Sequence, residues 1–180
     1  NGGIPCVDWR SPTGPTSQEL VATAYWAYDV ALMRQMAHAV GKTEDEQGYS
    51  SLGAKIKAAF IQAYVRPDGF VGGEIKSNPM ADAGGSSHSA VPVETQTGYV
   101  LALHMGLLPQ NLRASAATRL VNMIQANGWK LGTGFLGTPY LMEELSDSGH
   151  ADVAYRLLLN TQYPSWGYML SKGATTWWER

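Results

Sequence analysis

Apolar side chains recur every three or four positions over most of the chain, which is the spacing of helices that bury one face. The two stripes nearest the start of the chain are Leu20, Ala24, Tyr28, Leu32 and Met36, then Tyr49, Leu52, Ile56, Phe60 and Tyr64. They predict two helices, ended by Gly41 and Pro67, that pair as an antiparallel hairpin. Helical spacing and boundary residues predict four more helices, over about 95–108, 111–127, 138–149 and 151–161.

Short polar motifs predict where these helices begin. Thr16-x-x-Glu19 and Thr43-x-x-Glu46 match the capping box, in which a hydroxyl and a carboxylate satisfy free backbone N–H groups. Thr138 before Pro139 predicts an N-cap followed by proline at the first helical position. Glu144 falls within that helix, where we expect an exposed side chain.

The connections differ from the helices in composition. Residues 67–93 are rich in Gly, Ser, Pro and Asn and predict a long connection, a type of segment that is often functional. After the sixth helix, Trp166–Leu170 and Ala174–Trp178 flank a Ser-Lys-Gly turn and predict a short extended, β-like hairpin. The fold class is therefore all-α, built from helical hairpins with a β-like hairpin at the end.

About three helical hairpins are present, and six would close a helical toroid. We therefore expect residues 1–180 to be a fragment of a single (α/α)6 barrel domain. The chain begins at Asn1 and ends directly after its most site-like segment, which also favours a piece of a longer protein.

Composition narrows the function classes. Charged residues make up only 16% of the chain, against roughly 25% in an average domain, and there are twenty glycines and six tryptophans, which favours surfaces that a ligand or further protein covers. A net charge of −2 without a basic run gives nucleic-acid binding little support, and no apolar run approaches a membrane span. The single Cys6 excludes an internal disulfide framework. The compartment stays undecided.

Metal and cofactor sites have no support in the sequence. The four histidines lack metal-ligand spacing, and G-x-G-x-x-G over 132–137 follows a predicted helix instead of a strand. We predict neither a metal nor a cofactor. Carboxylates remain as the candidate chemistry.

The strongest candidate is Glu179, which lies among Trp166, Trp177 and Trp178. Aromatic faces stack on the C–H faces of a pyranose, and a carboxylate polarises a hydroxyl or a water, so this grouping is typical of a sugar site. The alternative is that the tryptophans are core residues and Glu179 a solvated chain end. Asp8-Trp9 is a second acid–tryptophan pair, and in a toroid both pairs would face one cavity.

Four segments near the end of the chain carry a resemblance: 133–141 (TGFLGTPYL), 149–159 (GHADVAYRLLL), 163–170 (YPSWGYML) and 173–180 (GATTWWER). Together with Asp8-Trp9, 19–25 (ELVATAY) and 95–103 (TQTGYVLAL), they resemble bacterial α-L-rhamnosidases of glycoside hydrolase family 78. The resemblance covers nearly the whole chain, and only the glycine-rich stretch near 71–90 is individual.

The resemblance implies an (α/α)6 barrel that hydrolyses terminal α-L-rhamnosyl residues with inversion. The glutamate of the family's Thr-Thr-x-Trp-Glu segment, its general base, corresponds to Glu179. Trp9 corresponds to a tryptophan that lines the sugar pocket, and Asp8 lies beside it in the chain. Phe135 and Trp178 are expected near the cavity, and we predict that all four residues bind the substrate. The implied partner is a rhamnose-containing carbohydrate.

Two parts of the family's site have no counterpart here. The general acid is a glutamate in an acidic segment before the Asp-Trp loop, and a sugar-contacting histidine is expected beyond Glu179. We therefore expect the remainder of the catalytic domain as a partner, and little activity from these 180 residues alone. Two alternatives stay open: another (α/α)6 carbohydrate-active enzyme, and a non-catalytic carbohydrate-binding module.

Overall fold

The computed structural model describes Asp8, residues 11–75 and residues 89–178. Seven helices and two strands follow one another in these parts of the chain: α1 Gln18–Ala39, α2 Thr43–Tyr64, β1 Gly72–Ile75, β2 Ser89–Glu94, α3 Gln96–His104, α4 Gln110–Ala126, α5 Thr138–Asp147, α6 Ala151–Leu158 and α7 Trp166–Ser171. No helix in the described parts is long and apolar enough to cross a membrane.

The first six helices form three hairpins. Helices α2, α4 and α6 each pack on the helix before them, while α3 also contacts α1 and α5. The helices α1, α3 and α5 therefore form one row, and their partners form a second row outside it. Every residue of Gln96–Leu103 in α3 is buried because neighbours cover it on several sides. The predicted all-α hairpin architecture is confirmed.

One hydrophobic core joins the three hairpins. Side chains that are almost fully buried come from each of the six helices, among them Leu20, Phe60, Tyr99, Leu120, Leu141 and Leu157. All six belong to a single cluster, so the hairpins share one core. This continuity gives the row α1–α3–α5 a fixed geometry.

The predicted capping boxes are wrong. Ser17 is the N-cap of α1, where the Leu20 N–H donates to Ser17 Oγ at 3.4 Å. Thr16 Oγ1 instead lies 2.9 Å from Thr95 Oγ1, and Thr95 caps α3 by accepting from the Gly98 N–H at 3.0 Å. Lys42 occupies the cap position of α2 and makes no side-chain cap bond. At the start of α1, the Thr16 hydroxyl thus contacts the start of α3 and does not cap its own helix.

The start of α5 also differs from the prediction. Thr138 is the first helical residue, and Gly137 occupies the cap position without a side-chain cap bond. The Thr138 hydroxyl lies 2.7 Å from Thr133 Oγ1, so it closes the preceding loop.

The connection between α2 and α3 contains a sheet that the sequence did not predict. Strands β1 and β2 pair antiparallel, with Gly72 opposite Glu94 and Gly73 opposite Val93, and a bulge lies between Gly73 and Ile75. An added Cβ at Gly73 would lie 2.6 Å from Ser17 Oγ, so β1 runs close to the start of α1. The sheet therefore lies at the end of the hairpins where α1 and α3 begin.

The β-like hairpin predicted for the end of the chain is also wrong. Residues Trp166–Ser171 form α7, and the Tyr168 N–H donates to Ser165 Oγ at 3.0 Å. Residues 174–178 contain no strand. An isolated two-stranded hairpin is marginal in water, whereas the serine cap satisfies a free donor of this short helix.

Candidate functional site

Asp8 lies at the end of the hairpins where α1, α3 and α5 begin. Its side chain is 3% exposed, and both carboxylate oxygens accept hydrogen bonds. The Gly134 N–H donates to Oδ2 at 2.8 Å, the Leu136 N–H donates to Oδ1 at 3.1 Å, and the Thr97 hydroxyl donates to Oδ2. The carboxylate thus connects the start of α3 to the loop before α5.

That loop spans residues 132–137 and is held at a second point. The hydroxyls of Ser11 and Thr13 donate to the Gly132 carbonyl at 2.9 and 2.8 Å, and the Gly132 N–H donates to Gln96 Oε1 at 2.9 Å. A Cβ at Gly132 would lie 2.6 Å from the Gln96 side chain, so glycine is required for this approach. Side chains from two distant segments therefore fix the glycine-rich loop.

A cleft of about 1100 Å³ opens beside the loop. Phe135 at the tip of the loop lies on one wall and is 54% exposed. Aromatic side chains from the last part of the chain also line the cleft and are called the aromatic wall here, namely Tyr163, Trp166, Tyr168, Trp177 and Trp178. Ligand clefts lined by aromatic groups of this kind bury most of a small ligand's surface.

The aromatic wall presents flat faces to solvent. Trp177 is 76% exposed and Trp178 is 38% exposed, so the core formed by the described residues does not bury these two side chains. Trp177 meets Trp166 edge to face, with ring centroids 6.3 Å apart and an angle of 79° between the rings. An edge-on contact of this kind leaves ring faces free for stacking on a ligand.

The predicted site residues fall into two groups. Phe135 and Trp178 line the same cleft, and Asp8 lies behind the loop that carries Phe135. Trp9 and Glu179 lie outside the residues that the structure describes, although Glu179 directly follows Trp178 in the chain. The catalytic and sugar-binding roles of all five residues stay predictions.

Comparison with known proteins adds the family. A model of the bacterial alpha-L-rhamnosidase 6 hairpin glycosidase domain matches residues 3–180, almost the entire chain. The chain belongs to this family.

Relatives agree with the family match. An alpha-L-rhamnosidase of Streptomyces avermitilis is 44% identical over 173 residues, which cover 96% of this chain and 15% of that protein. An alpha-L-rhamnosidase of Formosa agariphila is 36% identical over 180 residues, which cover 96% of this chain and 17% of that protein. The chain therefore spans less than a fifth of either relative.

Solved rhamnosidase structures have the same fold. The crystal structure of the Streptomyces avermitilis enzyme complexed with L-rhamnose matches with a TM-score of 0.79 at 44% identity, over 96% of this chain and 15% of that one. The native α-L-rhamnosidase from Aspergillus terreus matches with a TM-score of 0.81 at 33% identity, over 97% of this chain and 19% of that one. The six-hairpin glycosidase assignment thus rests on sequence and fold together.

The sequence analysis of this rhamnosidase-family chain missed Tyr163 and Tyr168 in the cleft. Their rings meet edge to face at 5.3 Å. The sequence does contain a signal for them, because aromatic residues become frequent from position 163 onward. The extended structure predicted for residues 166–170 did not show which of these side chains lie on the same side. Among the described residues, no group of three His, Cys, Asp or Glu side chains is placed to hold a metal ion.

A second polar cluster lies between α3, α4 and α5. Glu144 was expected to be exposed, and this was wrong: it is 5% exposed. His104 Nδ1 lies 3.3 Å from Glu144 Oε1, and the His104 ring stacks on Tyr140 with centroids 4.2 Å apart. Burial raises the pKa of Glu144, although His104 and Arg113 oppose that rise.

The same cluster extends toward Asp8 through a tyrosine. Burial raises the pKa of the Tyr25 hydroxyl to about 12, and neighbouring Tyr140 and Asp8 add to the rise. An ordinary tyrosine is already protonated at neutral pH, and the raised pKa extends the range in which the Tyr25 hydroxyl can donate a hydrogen bond to higher pH.

Proposed function

We propose that this chain is part of the catalytic (α/α)6 barrel of an inverting α-L-rhamnosidase, which hydrolyses terminal α-L-rhamnosyl residues from glycosides or polysaccharides. The observation that carries the proposal is the cleft, in which Phe135 faces an aromatic wall that ends at Trp178, one residue before Glu179. A related enzyme was crystallised in complex with L-rhamnose, which supports rhamnose as the sugar.

The aromatic residues orient the sugar. Trp178 and Phe135 contribute flat apolar faces, and the exposed C–H groups of a pyranose stack on such faces. We assign Trp9 to the same pocket on the strength of the family resemblance. Stacking positions the anomeric carbon and leaves the hydroxyl groups to polar partners.

Glu179 acts as the general base. Its carboxylate removes a proton from a water molecule as that water attacks the anomeric carbon from the face opposite the leaving group. Inversion requires a second carboxyl group that protonates the leaving oxygen, with the two groups roughly 6.5–9.5 Å apart. Asp8 does not fit that role, because its buried carboxylate already accepts three hydrogen bonds. The general acid comes from the remainder of the catalytic domain.

An exposed face of α1 supports the proposal that further hairpins of the catalytic domain pack against this chain. Trp26, Met33 and Met36 lie at helical spacing on α1 and are all exposed. A largely apolar stripe on a helix is typical of a face that packs on another helix. We assign this face to the hairpins that complete the toroid.

The first test is Glu179→Gln in the complete enzyme, assayed on an aryl α-L-rhamnoside. Loss of the general base predicts a fall in kcat of about 10²–10⁴-fold with a smaller change in KM. The matched control is Glu143→Gln, an exposed glutamate on α5, which should keep full activity. NMR of the first product should show the inverted anomer.

The other outcomes of this test support different functions. Turnover of another aryl glycoside in place of the rhamnoside would identify a different (α/α)6 carbohydrate-active enzyme. The exposed faces of Trp177 and Trp178 also suit simple sugar binding. Saturable rhamnose binding without turnover, unchanged by Glu179→Gln, would support a binding module and contradict the proposal.

A further inference from the structure

We propose that Asp8 is a positioning residue that holds the 132–137 loop and thereby fixes Phe135 in the wall of the cleft. This role replaces the substrate-binding role that the sequence predicted for Asp8 from its place beside Trp9. The inference rests on the proposed function and names how one wall of that same site is built.

The hydrogen bonds of Asp8 leave little for a ligand. Its oxygens accept from the Gly134 and Leu136 amides and from the Thr97 hydroxyl, and only 3% of the residue is exposed. A sugar hydroxyl that bonded to this carboxylate would have to displace one of these donors. Breaking a charge-assisted hydrogen bond at a buried carboxylate is costly.

The two amides bound by Asp8 lie on either side of Phe135. Holding the Gly134 and Leu136 N–H groups fixes the backbone before and after the phenylalanine. The Phe135 side chain is more than half exposed, so the core does not hold it in place. Its position in the cleft therefore depends on the backbone of the loop.

The other side-chain hydrogen bonds that hold the loop are made at Gly132 and Thr133, and none of them is made by the residues directly on either side of Phe135. Gly132 and Gly137 leave this stretch with much backbone freedom, since glycine has more accessible conformations than any other residue. An added Cβ at Gly137 would lie 2.6 Å from Thr97 Oγ1, so the loop also lies against the start of α3. Asp8 supplies a fixed anchor for a segment that is flexible by composition.

The test is Asp8→Asn in the complete enzyme. The asparagine side chain keeps one acceptor oxygen and turns the other into an NH2 donor that faces a backbone N–H. At least one loop hydrogen bond is then lost. We expect KM on an aryl α-L-rhamnoside to rise about tenfold with a smaller change in kcat. Asp45→Asn, an exposed aspartate on α2, is the matched control and should leave both constants unchanged.

A double-mutant cycle distinguishes positioning from sugar contact. If Asp8 acts through Phe135, then Asp8→Asn should add little to the KM of Phe135→Ala, because the wall is already lost. Changes that multiply in the double variant would show an independent sugar contact and overturn the proposal. Thr97→Val provides a milder change with the same expected coupling, should Asp8→Asn fail to fold.

Amide hydrogen exchange gives a readout that does not depend on activity. In Asp8→Asn at least one of the Gly134 and Leu136 amides should exchange at least tenfold faster than in the parent protein, whereas Phe135→Ala should leave both protected. Unchanged exchange in Asp8→Asn would overturn the positioning role even in an active enzyme. Faster exchange in a protein without rhamnoside turnover would instead contradict the proposed function and leave the loop anchor standing.

Discussion

Glu144 is the residue whose burial is least compensated in the described part of the chain. Its Oε2 atom is buried without a hydrogen-bond partner, and the nearest cation, Arg113 Nη2, lies 3.8 Å away. An ionised carboxylate in such a place loses hydration that its neighbours only partly replace. Burial therefore raises its pKa above the ordinary value of 4.5.

That shift predicts a pH dependence of stability. The folded protein holds the Glu144 proton to a higher pH than the unfolded chain does. The contribution to stability is therefore complete below pH 4.5 and is lost as the pH rises through the raised pKa. Glu144→Gln has no such proton, so its free energy of unfolding should fall less over this interval. Urea unfolding at a series of pH values from 4 to 8 measures the difference.

Three charged or titratable groups act on the Glu144 carboxylate, and the control must leave them in place. His104 and Arg113 attract the carboxylate, and Asp147 repels it. All three remain in Glu144→Gln, so their own contributions are largely retained. Glu143→Gln removes an exposed charge from the same helix and should follow the parent curve. An identical pH slope in Glu144→Gln and the parent would contradict this prediction.

At the scale of the secondary-structure elements, the hydrogen bonds at the helix starts predict which threonines contribute to stability. Thr95 caps α3 and also bonds to the buried Thr16 hydroxyl, whereas Thr43 opens α2 without any cap bond. Thr95→Ala should lower the free energy of unfolding by about 1–3 kcal/mol, because a cap is lost and the Thr16 hydroxyl loses its partner. Thr43→Ala should change it by less than about 0.5 kcal/mol. Chemical denaturation of the two variants beside the parent measures both effects.

If Thr43 did cap α2 as the capping-box motif predicts, Thr43→Ala would lower the free energy of unfolding more than Thr95→Ala does. A larger loss of stability in Thr43→Ala than in Thr95→Ala would contradict the hydrogen bonding of the helix starts described above. Equal losses in the two variants would likewise count against the tertiary Thr16–Thr95 contact as the source of the effect.

The helices themselves could be predicted from the sequence because their signals are local and repeat. Apolar stripes and boundary residues located the six helices of the hairpins to within a few residues, and glycine or proline ended the first two. Strands β1 and β2 have no comparable signal: β1 reads Gly-Gly-Glu-Ile, and its partner begins more than a dozen residues later. The pairing depends on contacts with α1 that no local pattern encodes.

At the scale of the whole molecule, the described residues form three helical hairpins, whereas the proposed barrel has six. Three hairpins share a core, and the apolar stripe on α1 is exposed. We expect the 180-residue chain alone to show no measurable turnover of an aryl α-L-rhamnoside, because the proposed mechanism takes its general acid from outside these residues. A spectrophotometric assay of this chain beside the complete enzyme tests the expectation. A rate in the isolated chain that Glu179→Gln abolishes would contradict it.

The candidate site could be predicted only in part, because some of its contacts join residues that are far apart in the sequence. The clustering of Trp177, Trp178 and Glu179 is visible as a stretch of sequence, and so is the pairing of Asp8 with Trp9. The partner of Asp8 is not visible, because Gly134 lies 126 positions away and nothing in the glycine-rich loop indicates a carboxylate acceptor. Residue types suggest the proposed chemistry of the site, whereas the contacts that assemble the cleft are visible only in the fold.

The long separation between Asp8 and its loop also has a consequence for how the protein folds. Contacts between residues far apart in sequence carry a large cost in chain entropy, so they form late compared with helical hairpins. During synthesis Asp8 leaves the ribosome before all three of its partners, and its loop partners Gly134 and Leu136 follow only after Thr97. The wall of the cleft is therefore among the last features of these hairpins to form, and a nascent chain acquires its helices before it acquires the proposed sugar site.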